Sequence, residues 1–357
     1  MRIEVEDKQG VKTLKYDEAA KYHGGFHMAG VALGWKFLEA ALARLDGPLR
    51  RDAAYLTLGA TPPGVTDCLE YATRALSRRR AVVDRNFMNG PKTCCGTLSF
   101  ALASGGKRLT AALRPDILPR AFADTATRID AGVAGETETA QWQAKSRELA
   151  AQFLGRDSAD LFDVTQDDCR RTASGAGATG RRADYTVSEQ SPLKVRDDAG
   201  ECAIGLDEML RFHDMEHYAG VVLAYKVFSL AFKELWDDAV PHRKDITILS
   251  GLNPPGLIDS FEYVARAITR QRHCLIADNN GSPDSPFGKF VFRVCNGERQ
   301  CNLKLRPGLL PEDFASIGRK AEAGLADESE QTRWEAYKHD VGKELAGMAP
   351  GDILEIV

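Results

Sequence analysis

Paired histidines are the residues of this sequence whose type and spacing most directly indicate chemistry. The stretch KYHGGFHMAGVAL at Lys21–Leu33 returns as RFHDMEHYAGVVL at Arg211–Leu223. Each copy contains His-x-x-x-His, and the two motifs hold four of the chain's seven histidines: His23 and His27, and His213 and His217. On a helix, positions i and i+4 share one face. The spacing therefore predicts that two imidazoles in each copy converge on one metal ion or one anionic ligand.

The predicted ligand of these histidines is a divalent transition metal, with zinc, iron or nickel as candidates. Imidazole nitrogens suit these metals, and a carboxylate often completes the site. A coordination position left open would activate water or polarise a substrate. Two alternatives remain: the histidines act as acid and base on a bound substrate without a metal, or they only cap and pack helices.

Acidic and phenolic side chains recur at identical spacing in the two copies and are candidate catalytic residues. They are Asp67 and Tyr71 in the first copy and Asp259 and Tyr263 in the second. One helical turn separates the acid from the tyrosine, so both can face the histidines, with the tyrosine as a proton donor. On the same helix, Glu70 and Arg74 have the i,i+4 spacing that predicts an ion pair on the solvent side.

Two further kinds of site fit the histidines. HDMEH at His213–His217 matches the inverted zincin signature, in which Glu216 would be the general base of a metallopeptidase, whereas Phe26 stands at that place in the first copy. A non-catalytic metal-binding or haem-binding module is the other alternative. Two histidines of one helix face cannot be the two axial ligands of a haem, but one from each copy could be.

The two histidine motifs belong to a duplication that covers most of the chain. The first copy aligns with the second without gaps at an offset of 190 (213 − 23), which becomes 192 (259 − 67) where PPGVTDCLEYATRAL faces PPGLIDSFEYVARAI. This predicts two tandem domains, residues 1–164 and 192–357. Residues 165–191 are rich in small and charged residues and are predicted to be a flexible linker. Two copies in one chain also predict an internal pseudo-dimer, and a homodimer of the chain is a further possibility.

The elements that position the candidate residues follow from periodicity and turn signals. Residues 2–6 and 11–15 alternate around DKQG and predict a β-hairpin. Asp17 predicts the start of a helix that runs through the histidines to about Leu45, unless Gly24-Gly25 interrupts it. The strand AAYLTLG then ends at Pro-Pro-Gly, and a second helix begins near Val65. The matching positions of the second copy are residues 193–196 and 202–206, Asp207, Leu235 and Leu257. The predicted fold class is α+β, with helices packed on a mixed or antiparallel sheet.

Three motifs of the repeat resemble those of the family of the E-type subunit of formylmethanofuran dehydrogenase. HMAGVALGWK and HYAGVVLAYK are similar to the family's histidine region, and FGKFVF at Phe287–Phe292 is similar to its Tyr-Gly-Lys strand. Asp67 and Asp259 stand at the aspartate of its Cys-x-x-Asp helix. Met28 and Tyr218 replace a family cysteine. The resemblance covers about a hundred residues in each copy, and it implies an α+β fold with metal binding near the first helix.

Composition restricts the partners and the compartment. The chain has 357 residues and a net charge of −4, so no global charge drives it toward nucleic acid or an anionic membrane. We find no apolar run near the ~20 residues of a membrane span, and MRIEVEDKQG lacks the apolar region of a signal peptide. The eight cysteines contain no CxxC pair. We therefore predict a cytoplasmic protein. Together with the histidine and aspartate motifs, this predicts a metal-dependent enzyme that performs hydrolytic or lyase chemistry on a small anionic or oxygenated molecule.

Overall fold

The chain divides into two compact units, Met1–Gly180 and Arg181–Val357. A computed structural model describes residues 1–45, 47–84, 87, 90–168, 190–214, 217–237, 239–277 and 281–357. In each unit, helices accompany a mixed six-stranded sheet. The predicted fold class, two copies of one α+β unit, is therefore confirmed.

The first unit consists of two sheets and the helices around them. Its elements in chain order are β1 (Arg2–Asp7), β2 (Gly10–Lys15), α1 (Tyr16–His23), α2 (Met28–Leu42), β3 (Leu49–Arg50), β4 (Tyr55–Ala60), α3 (Pro63–Thr73), β5 (Ala81–Val83), β6 (Lys92–Thr93), β7 (Gly96–Ser104), β8 (Lys107–Leu113), α4 (Arg120–Asp130), α5 (Glu136–Leu154), α6 (Ser158–Leu161) and β9 (Phe162–Asp168). The small sheet has the order β2-β1-β3. The main sheet has the order β5-β4-β7-β8-β9, with β6 paired to β7.

Helix α2 is the centre of this unit and is buried along most of its length. It packs on the main sheet, where the Phe37 ring lies 5.6 Å from that of Phe100 on β7 and 6.4 Å from that of Phe162 on β9, measured between centroids. Helices α3 and α5 cover other sides of α2. A helix surrounded in this way needs apolar residues on nearly every face, which explains the composition of MAGVALGWKFLEAAL.

The second unit repeats this architecture. Its elements are β10 (Leu193–Asp197), β11 (Gly200–Ile204), α7 (Leu206–His213), α8 (Tyr218–Trp236), a short 3-10 helix (Arg243–Asp245), β12 (Thr247–Leu252), α9 (Pro255–Ala265), β13 (His273–Leu275), β14 (Asp284–Ser285), β15 (Gly288–Cys295), β16 (Gln300–Leu305), α10 (Phe314–Glu322), α11 (Glu328–Gly347), α12 (Pro350–Ile353) and β17 (Leu354–Ile356). The sheet order β13-β12-β15-β16-β17, with β14 on β15, matches that of the first unit strand for strand.

The predicted continuous helix through the histidine motif is wrong in the second unit, whereas the first unit shows the predicted alternative, an interruption at Gly24-Gly25; in both units two helices meet at the motif. α1 ends at His23, where Gly24 adopts the left-handed conformation (φ 87°), and α2 begins only at Met28. Asp214 has the same conformation (φ 84°) in the second unit, without the help of a glycine. The two histidines of each motif therefore do not share one helix face.

Two smaller predictions about element ends also need correction. Asp17 and Asp207 are not N-caps: α1 begins at Tyr16 and α7 at Leu206, so both acids lie in the first turn, where the helix dipole favours them. Strand β9 includes residues 165–168, which the sequence assigned to the linker. Residues 169–189 of that predicted linker lie outside the described residues. Within the described ranges, every helix is too short or too polar to cross a bilayer.

Candidate functional site

A buried histidine at the turn that joins α1 to α2 contacts a buried aspartate of α3. His23, the last residue of α1, is 4% exposed, and Asp67 on α3 is 0% exposed. His23 Nδ1 lies 2.7 Å from Asp67 Oδ2. The histidine motif is therefore fixed to the helix that follows Pro-Pro-Gly.

The second nitrogen of the His23 ring identifies its tautomer. The backbone N–H of His27 points at His23 Nε2 over 3.0 Å, and a backbone amide can only donate. Nε2 must therefore be the unprotonated acceptor, and the ring proton sits on Nδ1, from which it is donated to Asp67. His23 is neutral in this arrangement, and each of its nitrogens makes a hydrogen bond.

The second unit builds the same arrangement from the same residue types. His213 Nδ1 lies 2.7 Å from Asp259 Oδ2, and the His217 amide donates to His213 Nε2 over 3.1 Å. A neutral histidine thus links an aspartate on the next helix to the amide at the start of α2 or α8. We conclude that this pair fixes the turn before the long helix in each unit.

These hydrogen bonds bear directly on the predicted metal ligands. The lone pair that His23 or His213 would give to a metal accepts a backbone amide instead. Among the described residues, no three His, Cys, Asp or Glu side chains are arranged to hold an ion. The described donor set does not fit a metal at His23/His27 or His213/His217 unless the turn rearranges, and the metal assignment stays a prediction.

Close contact between two helices explains the glycine after the Pro-Pro pair. The backbone of α3 at Gly64 lies directly against the first turn of α2, and a Cβ at Gly64 would overlap the His27 carbonyl oxygen. In the second unit, a Cβ at Gly256 would lie 2.8 Å from the His217 carbonyl oxygen, still too close. A glycine is therefore needed here to hold the histidine turn against the following helix.

A cavity of about 170 Å³ opens beside His27 in the first unit. Aromatic rings form much of its wall: Phe122 of α4 stacks on Trp142 of α5 with centroids 4.7 Å apart, and the His27 ring meets Trp142 edge to face at 5.4 Å. The remaining wall includes Leu33 of α2 and the thiol-bearing residues Cys94 and Cys95, and also Val65, Leu98, Ala126, Asp130 and Ser146. The cavity is thus largely apolar, with an imidazole at its edge.

The second unit has the same cavity at matching positions, but about 60 Å³ in volume. His217, Phe314 and Trp334 take the places of His27, Phe122 and Trp142. The size difference has a visible cause, because larger side chains line the second cavity. They are Phe287 for Cys95, Phe290 for Leu98 and Lys338 for Ser146. The open cavity is therefore a property of the first unit.

The Tyr71 hydroxyl is directed to the start of the first helix, away from the histidine at its end, although the Tyr71 ring lies 5.6 Å from that of Tyr22 between centroids. The Tyr71 hydroxyl donates to Glu18 over 3.2 Å, and Glu18 is in the first turn of α1 whereas His23 ends it. Tyr263 is buried in contact with the Phe212 ring, at 5.0 Å between centroids. The structure thus brings Asp67 and Asp259 to the histidines and directs the Tyr71 hydroxyl elsewhere. Glu216, the predicted peptidase base, lies outside the described residues.

The predicted solvent-side position of Glu70 and Arg74 is wrong, because both are buried. Glu70 is 0% exposed, and its carboxylate accepts the backbone N–H groups of Leu76 over 2.8 Å and Ser77 over 3.1 Å. Glu262 accepts the amides of Ile268 and Thr269 in the same way. In each unit this glutamate therefore stabilises the turn after the helix, and we assign it no role in ligand binding.

Sequence reasoning missed the cavity, although a signal for it was present. α4 and α10 bring Phe122 and Phe314 over the cavity, and these phenylalanines match in the duplication, as do Trp142 and Trp334. The cysteine pair, which faces Pro286-Phe287 in the second copy, marks the difference between the two cavities. No protein-family model matches the chain, and no curated protein sequence is significantly similar to it.

Proposed function

We propose that the first unit is an enzyme that binds a small, mostly apolar molecule bearing one oxygen-containing group, and that His27 is its acid or base. The observation that supports this most is the cavity of about 170 Å³ beside His27, which the second unit keeps at matching positions but fills. A cavity of ~150 Å³ with apolar walls is large enough for benzene. The ligand is therefore a single ring, or an aliphatic group of that size, with a polar substituent.

The imidazole of His27 is the group best placed to act on such a ligand. It lies on the cavity wall, half-buried, and its ring contacts those of Phe26 (4.6 Å between centroids) and Trp142 (5.4 Å), which also contact each other. Contact with both rings limits the orientations of the imidazole, and a positioned histidine is the commonest acid–base group in enzymes. An oxygen-containing substituent near this ring gains a hydrogen bond that the apolar wall cannot supply.

Asp67 and His23 act as positioning residues in this proposal. Their hydrogen-bond chain ends on the backbone amide of His27, so it holds the residue whose side chain faces the ligand. Neither side chain lines the cavity, and both are nearly inaccessible to solvent. We therefore assign proton transfer to His27 and preorganisation to the buried pair.

The other predicted functions fit this site less well. Zinc, iron or nickel bound by His23 would need Nε2 to release the His27 amide. The cavity of the first unit is far too small to enclose a haem. A peptidase using Glu216 would require both His213 and His217 as metal ligands, and His213 Nε2 also accepts an amide. A non-catalytic binding module remains the second candidate, because the cavity alone is enough for binding.

Binding by the full chain can be measured calorimetrically with phenol, benzoate and benzene as probes. One equivalent of phenol or benzoate should bind, and His27→Ala should weaken that binding about tenfold, the loss of one hydrogen bond. The same change should affect benzene little. His217→Ala is the matched control in the second unit and should change nothing.

A reciprocal exchange between the two units tests the location. Cys95→Phe should abolish binding of all three probes because it introduces one of the larger side chains of the second cavity, and replacing Phe287, Phe290 and Lys338 together by Cys, Leu and Ser should open a second binding site. Unchanged binding in Cys95→Phe would refute the assignment to this cavity.

Catalysis by His27 can be tested separately from binding. Acetophenone carries a ring and a carbonyl group, and an acid–base residue beside it should exchange its methyl hydrogens with deuterium from the solvent, which NMR detects. Exchange above the solvent rate that disappears in His27→Ala supports the enzyme. Bound acetophenone without exchange would refute the enzyme and favour the non-catalytic module.

We propose a cytoplasmic location and a small-molecule substrate, with no nucleic acid or membrane partner. The seven described cysteines are thiols, which suits a reducing compartment. The pseudo-dimer and the homodimer stay predictions, as does the resemblance to the formylmethanofuran dehydrogenase family.

A further inference from the structure

A tight hairpin turn presents two adjacent cysteines to the cavity of the first unit. Thr93 of β6 pairs with Gly96 of β7, so Cys94 and Cys95 are the two residues of the turn. The Thr93 hydroxyl donates to the Gly96 carbonyl over 3.0 Å and accepts the Cys95 amide over 3.2 Å. These bonds hold the two sulfur atoms 3.8 Å apart, and both cysteines line the cavity.

We propose that Cys94 and Cys95 bind a trivalent organoarsenic compound, with arsenic bridging the two sulfurs and its single organic group inside the cavity. In this reaction R–As(OH)₂ and two thiols give R–As(S)₂ and two molecules of water. Two As–O bonds and two S–H bonds break, two As–S bonds and two O–H bonds form as each hydroxide leaves with a thiol proton, and arsenic remains trivalent. The reaction therefore needs no oxidant or reductant.

The donor set favours this ligand over a bare metal ion. Thiolates select soft centres, but the described residues offer no third His, Cys, Asp or Glu arranged to complete an ion's coordination. An organoarsenic centre requires only two sulfurs, since its third bond is to carbon. The apolar wall then receives the organic group, and the cavity of about 170 Å³ accommodates a ring of the size of benzene.

The rest of the chain provides comparisons for this site. In the second unit, Pro286 and Phe287 occupy the turn, so that the thiols are absent and the cavity is filled. Cys274 is exposed on β13 and is a suitable single-thiol control. Burial raises the pKa of the Cys301 thiol to about 11, with the charge of Glu234 as a smaller cause, and so lowers its reactivity at neutral pH.

The experiment titrates the reduced full chain with phenylarsine oxide and with inorganic arsenite, followed by intact-mass measurement and by competition with a dithiol. One phenylarsenic group should add per chain, and the phenyl compound should bind at least about tenfold more tightly than arsenite because its ring enters the cavity. Cys94→Ser and Cys95→Ser should each abolish the adduct that survives dilution, whereas Cys274→Ser should retain it.

Two results would overturn the inference. An adduct that persists in Cys94→Ser would place the arsenic elsewhere, and equal affinity for phenylarsine oxide and arsenite would show that the cavity does not receive the ring. Phenol binding, measured on the same preparations, separates this inference from the proposed function. If phenol binds and the arsenical does not, only the arsenic site is refuted. If the arsenical binds and phenol does not, only the proposed enzyme site is refuted.

Discussion

Replacing His23 by alanine should destabilise the first unit by about 3–5 kcal/mol, the usual cost of breaking a buried pair that includes a charge. The change removes the Nδ1–H that Asp67 accepts at 2.7 Å and the Nε2 that accepts the His27 amide at 3.0 Å. Asp67 is 0% exposed, so water cannot easily replace the lost donor. For a unit of this size, such a change lowers the melting temperature by roughly 10 °C.

Two conservative variants separate the contributions of the two ring nitrogens. His23→Asn places an amide N–H near Nδ1 and should keep the bond to Asp67, whereas His23→Gln reaches the Nε2 position and should keep the bond from the His27 amide. Hydrogen exchange of that amide is the direct readout. We expect protection to survive in His23→Gln and to be lost in His23→Asn and His23→Ala.

The matched variant in the second unit is His213→Ala, which should destabilise that unit and leave the His27 amide protected. Calorimetry of the full chain measures both changes as shifts of separate transitions or of one broadened transition. Full protection of the His27 amide in His23→Ala, or a loss of stability below about 0.5 kcal/mol, would refute the proposed role of the pair.

Three further predictions concern other features of the fold. Gly64→Ala should lower the free energy of unfolding by about 1–3 kcal/mol because its Cβ overlaps the His27 carbonyl oxygen. The control Gly351→Ala, whose Cβ would meet no atom within 4 Å, should not lower it. A Gly64→Ala protein as stable as wild type in urea unfolding would contradict the contact. Glu70→Gln should cost about 1.5–3 kcal/mol in the same assay, since a carboxylate that accepts two backbone amides becomes neutral, and no change would argue against this role. Burial lowers the pKa of His273, so the unfolded chain takes up a proton before the folded chain does on acidification. The free energy of unfolding should therefore fall as pH decreases below about 6.5 and level off below the pKa of the folded state. His273→Gln should flatten this pH dependence.

Periodicity and the duplication predicted most of the architecture. The hairpin around Gly10, the strand before Pro62 and the helix after it all appear, because each is specified by local alternation or by turn residues. The break between α1 and α2 was harder to predict. In the first unit Gly24 indicates the break, but in the second unit Asp214 takes the same left-handed conformation at a position where sequence alone favours a continuous helix.

The site was predicted only in part, for a physical reason. Spacing identified Asp67 and His23 as functional partners in one place, and the structure brings them together. It could not show that the His27 amide takes the remaining nitrogen, because backbone hydrogen bonds leave no mark on side-chain spacing. For the same reason, spacing alone placed Glu70 on the solvent side, although its partners are backbone amides six and seven residues further along the chain.

The cavity volumes have a thermal consequence for the chain. The open and the filled versions differ by 110 Å³, and an unfilled apolar volume of that size costs at most about 3 kcal/mol. This loss lowers the stability of the first unit, and a ligand that fills the cavity should raise the stability of that unit alone. The second unit then serves as an internal reference. In a single calorimetric scan, occupancy of the cavity in the first unit can be measured against it.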